Sequence, residues 1–250
     1  MAKKRLKFLN IPPEEQQTGI LLWFQLIQNH WLSMFYANFF TLLCLVPCLF
    51  CLFLLVTTKD LVFWAAALVL LTLAGPSITG LHKICVRIVH RMPVWLVEDY
   101  KKVFKEDWKI SMILTAILGL FWSVLAYGMY LVILVDGAMS VGHFLLFLVV
   151  IYILSGMTLF GYQQVAMLEL PLTVVLKNAL LMIFAGRLRS VFAILVPIAM
   201  AVVCFVYYGL LVYILLLGWL ALMVMTANLI FAPVFRNLFL SENNHEEETI

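Results

Sequence analysis

The sequence predicts an all-α bundle of transmembrane helices, because it is too apolar for a soluble domain and its apolar runs are long. Hydrophobic residues make up 65% of the 250 residues and charged residues 12%, whereas soluble domains contain about 45–50% and about 25%. The mean hydropathy is +1.08. A helix needs about 20 apolar residues to cross a bilayer, and several runs of this chain reach that length.

Charged and turn residues divide residues 35–240 into six predicted spans that form a single bundle. The spans are 35–57, 61–81, 110–135, 143–168, 190–208 and 211–235. Because only residues 207–209 separate the last two spans, a bundle of five spans is the alternative. Residues 172–184 are also apolar but contain Lys177 and Asn178, so we expect them to form an interfacial segment at the membrane edge.

The two ends of the chain are more polar than the predicted bundle. Residues 1–34 begin with a basic arm and continue into an amphipathic stretch, 18–33, that predicts a helix at the membrane surface. The sequence IPPEEQQTG follows the arm where a signal peptide would have its apolar region, so we expect no cleaved signal. Residues 241–250, SENNHEEETI, are predicted to be a disordered, solvated acidic tail.

The distribution of basic residues predicts that both ends of the chain face the cytoplasm. With the amino-terminal arm inside, only Lys59 lies on the outer side of the membrane. The opposite orientation would place every basic residue except Lys59 outside, against the positive-inside rule. The formal net charge of +3 comes from basic residues at the edges of the lipid bilayer. We therefore expect no nucleic-acid partner.

The densest set of charges lies between the second and third predicted spans, in residues 75–109. This segment reads GPSITGLHKICVRIVHRMPVWLVEDYKKVFKEDWK. Gly75-Pro76 weakens the helix at its start, since Gly adds backbone freedom and Pro lacks an N–H donor. A turn is predicted at Met92-Pro93. Because the segment is charged, we expect it to be the part of the protein that contacts another molecule.

Within this segment, residues 99–109 are predicted to form an amphipathic helix at the membrane surface. Asp99 is positioned to cap its start. Its apolar face contains Tyr100, Val103, Phe104 and Trp108, and its charged face contains Lys101, Lys102, Lys105 and Glu106. We expect the charged face to bind a partner while the apolar face anchors the helix to the bilayer. The predicted partner-binding residues are Asp99, Tyr100, Lys101, Lys102, Phe104, Lys105 and Trp108.

The same segment carries a set of motifs: GPSITGL, then an R-x-x-x-R pair, then VWLVEDYKKVFKEDWK. The residues that define them are Gly75, Pro76, Gly80, Leu81, Arg87, Arg91, Trp95, Asp99, Tyr100, Phe104, Lys105, Asp107, Trp108 and Lys109. With these motifs the chain resembles the YesL-like family of bacterial multi-pass membrane proteins over about residues 36–109. Asp107 stands where the family more often has Asn, and Gly80 where Ala is common.

The resemblance implies a multi-pass protein of the bacterial cell membrane. Members of the family are often encoded beside sugar importers and glycan-degrading enzymes, and no reaction or cofactor is implied. We therefore expect a non-catalytic accessory or regulatory subunit of an ABC-type carbohydrate importer. Its expected partners are the membrane subunits of that importer.

The alternative hypothesis is a stand-alone small-molecule transporter or channel. Its candidate residues are Glu169, Gln163 and Gln164, because polar and ionisable groups at membrane depth are commonly functional. Prolines within several spans and a weak repeat of three hairpins are also typical of transporters. The simpler interpretation is an interfacial Glu169 that pairs with a nearby basic residue.

The remaining candidate groups favour structural roles. Cys44, Cys48 and Cys51 share one helix face but lack further ligands, so we expect small-residue packing instead of a metal site. Asn38 and Asn228 are expected to form hydrogen bonds between helices or to a free carbonyl. The sequence contains no Walker A loop, GxSxG elbow or HExxH motif, so we expect no cofactor and no enzymatic activity.

Overall fold

The computed structural model describes residues 19–136, 140–206 and 218–239. All regular elements within these ranges are helical, so the predicted all-α fold is confirmed. The helices are α1 Ile20–Thr58, α2 Leu61–Val89, α3 Leu96–Lys102, α4 Trp108–Asp136, α5 Val141–Met167, α6 Leu172–Ala185, α7 Leu188–Val206 and α8 Trp219–Phe239. The predicted basic arm, the turn at 207–209 and the acidic tail lie outside the described residues.

Five helical stretches in these ranges are long and apolar enough to cross a membrane, and a sixth span results if α6 and α7 are counted as one. The two helices meet at an angle of 104°. This agrees with the prediction of a membrane bundle with five or six spans. The predicted interfacial segment 172–184 coincides with α6, whose buried residues Val175, Ala179, Met182 and Ile183 are on the side that packs into the bundle.

Helix α2 lies at the centre of the bundle, where it contacts α1, α4, α5 and α8. Two glycines let other groups approach its backbone closely. A Cβ on Gly75 would collide with the Thr115 side chain and the Ser111 carbonyl of α4, and one on Gly80 would lie 2.7 Å from the Tyr100 ring. Small residues serve this purpose in membrane bundles, where close backbone packing drives association. The predicted motif of Gly75 and Gly80 is therefore a packing motif.

Both segments predicted to be surface helices are continuous with a span. Helix α1 has 39 residues and passes through Pro47, so the stretches 18–33 and 35–57 belong to one helix about 58 Å long. Helix α3 continues through a π-helical turn, Val103–Asp107, directly into α4. Because this turn keeps the backbone helical, residues 99–109 extend the third span and are not a separate element.

Helix α8 begins beside the middle of α1. Asn38 is fully buried, and its Oδ1 accepts a hydrogen bond from the backbone N–H of Leu220 at 3.1 Å. The first N–H groups of a helix have no acceptor within the helix. Asn38 of α1 supplies an acceptor for one of them. The prediction of a hydrogen bond between helices is confirmed for Asn38. Asn228 instead donates to the Val224 carbonyl of its own helix.

Candidate functional site

An ion pair fixes the start of α3 to α2. The Asp99 carboxylate lies 2.8 Å from the Arg87 guanidinium, and it accepts a hydrogen bond from the Trp95 backbone N–H at 3.2 Å. The predicted N-cap role of Asp99 is wrong, because α3 begins at Leu96 with Trp95 as its N-cap, and Asp99 accepts the Trp95 N–H from within the first turn. Since Asp99 is only 3% exposed, its predicted place on an outward docking surface is corrected to an internal contact.

Tyr100 connects α3 to α1 and α2. Its hydroxyl donates to the Ala37 carbonyl at 2.9 Å and lies 3.1 Å from the Thr41 hydroxyl. Its ring packs against Gly80, where no Cβ would fit. Both the hydroxyl and the ring make contacts within the protein, so Tyr100 also belongs to the interior and not to the docking surface.

The π-helical turn changes which side chains share a face. A π turn closes on i→i+5 hydrogen bonds and so takes up more residues than an α turn. Tyr100 and Val103 point into the bundle, whereas Phe104 and Trp108 are 46% and 42% exposed. The predicted apolar face with all four residues is therefore divided: two of them pack inside and two lie on the surface.

Three exposed lysines follow one another at intervals of four residues along this helix, and we call Lys101, Lys105 and Lys109 the basic face. All three are exposed, as is Arg91 in the preceding turn. The Lys109 ammonium lies 5.5 Å from the centre of the Trp108 ring. Lys101 and Lys105 form no ion pair with any residue in the described ranges. The basic face is therefore available to an acidic partner.

Lys102 does not belong to the basic face. It is only partly exposed, and its ammonium lies 3.8 Å from the Glu106 carboxylate, one turn further along the helix. Of the seven predicted partner-binding residues, the structure thus leaves Lys101, Phe104, Lys105 and Trp108 on the outer surface.

A second polar region lies inside the bundle between α2, α4 and α5. The Thr79 hydroxyl donates to the Ser111 hydroxyl at 2.8 Å, and the Thr115 and Tyr162 hydroxyls lie 2.7 Å apart. The His82 and Tyr162 rings lie 5.4 Å apart between centroids. These contacts join three helices through hydroxyl groups, which is a common way to hold helices together in a membrane.

Gln163 and Gln164 are both buried in α5, with 1% and 0% of their surface exposed. Gln164 donates to the carbonyls of Phe160 at 3.2 Å and Val175 at 3.4 Å. Neither amide atom of Gln163 has a hydrogen-bond partner within the part of the chain that the structure describes. An unpaired buried polar group costs about 1–3 kcal/mol, so packing alone gives no reason for this side chain.

Glu169 lies in the connection between α5 and α6 and is exposed. Together with Glu106 and Asp107 it lines a surface pocket of about 720 Å³, whose wall on α5 includes Val165. Asp107 also interacts electrostatically with Lys83 of α2. The three predicted transport residues do not share this pocket, because Gln163 and Gln164 are buried elsewhere in α5.

Comparisons with protein-family models, with curated proteins and with solved structures found no match to this chain. Its identity therefore rests on its own helices and contacts. Five or six long, apolar helices in the described ranges, together with a composition that excludes a soluble domain, make the protein an integral multi-pass membrane protein.

Proposed function

We propose that this protein is a non-catalytic accessory or regulatory subunit that docks on a partner through the basic face. The resemblance to the YesL-like family makes the membrane subunits of an ABC-type carbohydrate importer the expected partner. The observation that carries the proposal is a row of exposed lysines on a helix whose opposite side is pinned to two other helices.

The internal contacts make the basic face a preorganised surface. Asp99 holds the helix to α2 through Arg87, and Tyr100 holds it to α1 through the Ala37 carbonyl. A surface that is already ordered loses less conformational entropy on binding than a free segment does. Phe104 and Trp108 lie beside the lysines, and aromatic residues are enriched at protein interfaces. These features favour a docking role.

The length of the helix also supports this role. Leu96–Ile133 is one apolar helical stretch of 38 residues. Residues 110–133 alone are about 36 Å long, which exceeds the hydrocarbon thickness of about 30 Å. Residues 96–109 then extend about 21 Å further. With the predicted span 110–135 in the hydrocarbon, the basic face would stand outside it, where a neighbouring subunit can reach it.

The proposal is tested by reversing the charge of the basic face. Lys101→Glu with Lys105→Glu should leave expression and folding intact, because surface substitutions usually change stability by less than about 0.5 kcal/mol. The same change should release the importer subunits, since like charges across an interface cost several kcal/mol. The measurement is co-purification of those subunits from the native membrane in mild neutral detergent.

A matched control is Lys59→Glu, which reverses the charge of an exposed lysine directly after α1. It should recover the partner as the wild type does. Undiminished recovery with the doubly reversed basic face would contradict the docking role. The neutral detergent matters because anionic lipids attract each nearby base by about 1 kcal/mol.

The second candidate is a transporter of a small polar solute, and the unpartnered amide of Gln163 favours it. A solute passing through the bundle would supply the hydrogen bonds that Gln163 lacks. Purified protein in vesicles should then take up a member of a panel of radiolabelled sugars, and Gln163→Leu should abolish that uptake. Glu169→Gln should accumulate normally in the membrane, because Glu169 lies in an exposed connection. Wild-type uptake by the Gln163 variant would remove this candidate.

A further inference from the structure

Helix α8 ends beside the end of α2, at the same end of the bundle as the start of α3. The Arg236 guanidinium lies 3.4 Å from Nδ1 of His90, which directly follows α2, and α8 ends three residues later at Phe239. One turn before His90, Arg87 pairs with Asp99 of α3. The end of α2 thus contacts both α8 and α3, so α8 and α3 meet the same end of this helix.

The acidic segment that follows α8 is longer than the basic face. Residues 241–250 can span at most about 33–36 Å when extended. The row from Lys101 to Lys109 is about 12 Å long at 1.5 Å per residue. The segment is thus long enough to cover the whole row and leaves about 21 Å to connect the row to the end of α8.

The charges of the two regions are complementary. Residues 241–250 contain Glu242, Glu246, Glu247 and Glu248 and no Lys or Arg. The basic face presents three exposed lysines, and Arg91 is exposed in the turn before it. Lys101 and Lys105 have no ion-pair partner among the described residues. Tethering gives such a segment an effective concentration in the millimolar range for a short flexible linker, so weak charge pairing is sufficient for occupancy.

We propose that residues 241–250 dock on the basic face and occupy it when no partner protein is bound. The segment then acts as an intramolecular competitor, and a partner must displace it to reach Lys101 and Lys105. Occupancy of the face by the segment is independent of the partner's identity. A regulatory role for this occupancy rests on the proposed function, because the segment can compete only with a partner that binds the same face.

The occupancy is tested by zero-length carbodiimide coupling, which joins a carboxylate to an amine that it contacts. The full chain, purified in neutral detergent, is coupled and its peptides are mapped by mass spectrometry. We expect links from residues 242–248 to the lysines of the basic face, several-fold above links to the exposed lysines Lys59 and Lys177. The links should fall several-fold at about 1 M salt, where the Debye length is about 3 Å.

Two variants serve as controls in the same experiment. Glu246→Gln, Glu247→Gln and Glu248→Gln together should remove most links, whereas Glu98→Gln, an exposed acid on α3 itself, should leave them unchanged. Links that reach Lys177 as often as Lys105, or that do not respond to salt, would show only random encounters of a tethered segment. Either result would overturn the proposal.

Anionic lipid headgroups are the competing occupant of the same lysines. Coupling is therefore repeated in vesicles of phosphatidylcholine alone and in vesicles that also contain phosphatidylglycerol. Links that persist in both support docking of the segment. Links that vanish only with phosphatidylglycerol would assign the face to lipid and overturn the proposal.

Because no partner protein is present in these experiments, failure of the proposed importer association cannot produce their result. A separate measurement tests the competition itself. Deletion of residues 241–250 should raise the recovery of the partner several-fold in co-purification. Unchanged recovery, in a protein whose wild-type form co-purifies with the partner, would overturn the competition.

Discussion

The inner side of α3 and the end of α5 both contain polar residues in the protein interior. The two regions differ in whether those residues have hydrogen-bond or ion-pair partners. Asp99 and Tyr100 each contact other helices through charged or polar atoms. Gln163 is as buried as Asp99 and has no hydrogen-bond partner in the described ranges. A charged or polar residue type therefore does not by itself indicate function in a membrane bundle. Whether its hydrogen-bonding groups are satisfied is the more informative property.

The comparison predicts the largest loss of stability for Asp99→Ala. The change leaves Arg87 without its carboxylate, and breaking a buried ion pair from one side costs about 3–5 kcal/mol, an upper bound here because the Arg87 side chain is 20% exposed. The measurement is the midpoint of thermal unfolding in detergent. Glu98→Ala, at the exposed neighbouring position, is the control and should change the free energy of unfolding by less than about 0.5 kcal/mol. Equal midpoints for the two variants would show that the ion pair does not hold α3 in place.

A smaller loss is expected for Gly75→Ala. The added Cβ would meet the Thr115 hydroxyl and the Ser111 backbone carbonyl, and overpacking of this kind costs about 1–3 kcal/mol. Gly128→Ala is the control, because the nearest atom to its Cβ would be 3.8 Å away on the Phe147 ring. That variant should unfold at or slightly above the wild-type temperature, since Ala is the better helix former. A stable Gly75 variant would refute the close crossing of α2 and α4.

Tyr100→Phe removes the hydroxyl and keeps the ring that covers Gly80. The hydrogen bond to the Ala37 carbonyl is lost, and hydrogen bonds between helices in a membrane contribute about 0.6 kcal/mol on average. We therefore expect a small but measurable fall in the free energy of unfolding. Tyr127→Phe, on an exposed part of α4, should have no effect. A fall of several kcal/mol would mean that the hydroxyl does more than bridge α3 and α1.

The smallest effect is expected for Gln163→Leu. Replacing an unpaired buried amide by an apolar side chain of similar size should leave stability unchanged or raise it slightly. The adjacent Gln164→Leu should instead lower it by about 1 kcal/mol, because Gln164 donates to two carbonyls. These two neighbouring residues directly compare a buried amide that has hydrogen-bond partners with one that has none. A clear destabilisation by Gln163→Leu would reveal a partner for that amide in the native protein.

The helices and most connections could be predicted from the sequence, since apolar run length and prolines determine them. The turn at Met92-Pro93 is an example, and α2 ends just before it, at Val89. The predicted second span ended earlier, at residue 81, because His82 and Lys83 are polar. The structure buries both of them within α2, so polarity at the end of a span did not mark the end of the helix.

The side chains that face inward could not be predicted in the same way. No feature of the sequence predicted the π-helical turn. The prediction therefore used α-helical spacing, which placed Phe104 and Trp108 on the same face as Tyr100. The burial of Asp99 depends on Arg87, which reaches it only after the chain reverses direction. For Glu169 a signal did exist, because a residue that precedes proline avoids the helical conformation. Leu170-Pro171 agrees with the predicted end of the span at residue 168, which already placed Glu169 outside it.

The hydrogen bond from Leu220 to Asn38 joins residues 182 positions apart. Of the described helices, α1 is synthesised first and α8 last, so the acceptor is made long before its donor. Contacts between residues this distant in sequence raise the contact order, which slows folding. The start of α8 is thus completed only after most of the chain has been inserted. The contact between the start of α8 and the middle of α1 is therefore expected to form late in the assembly of the bundle.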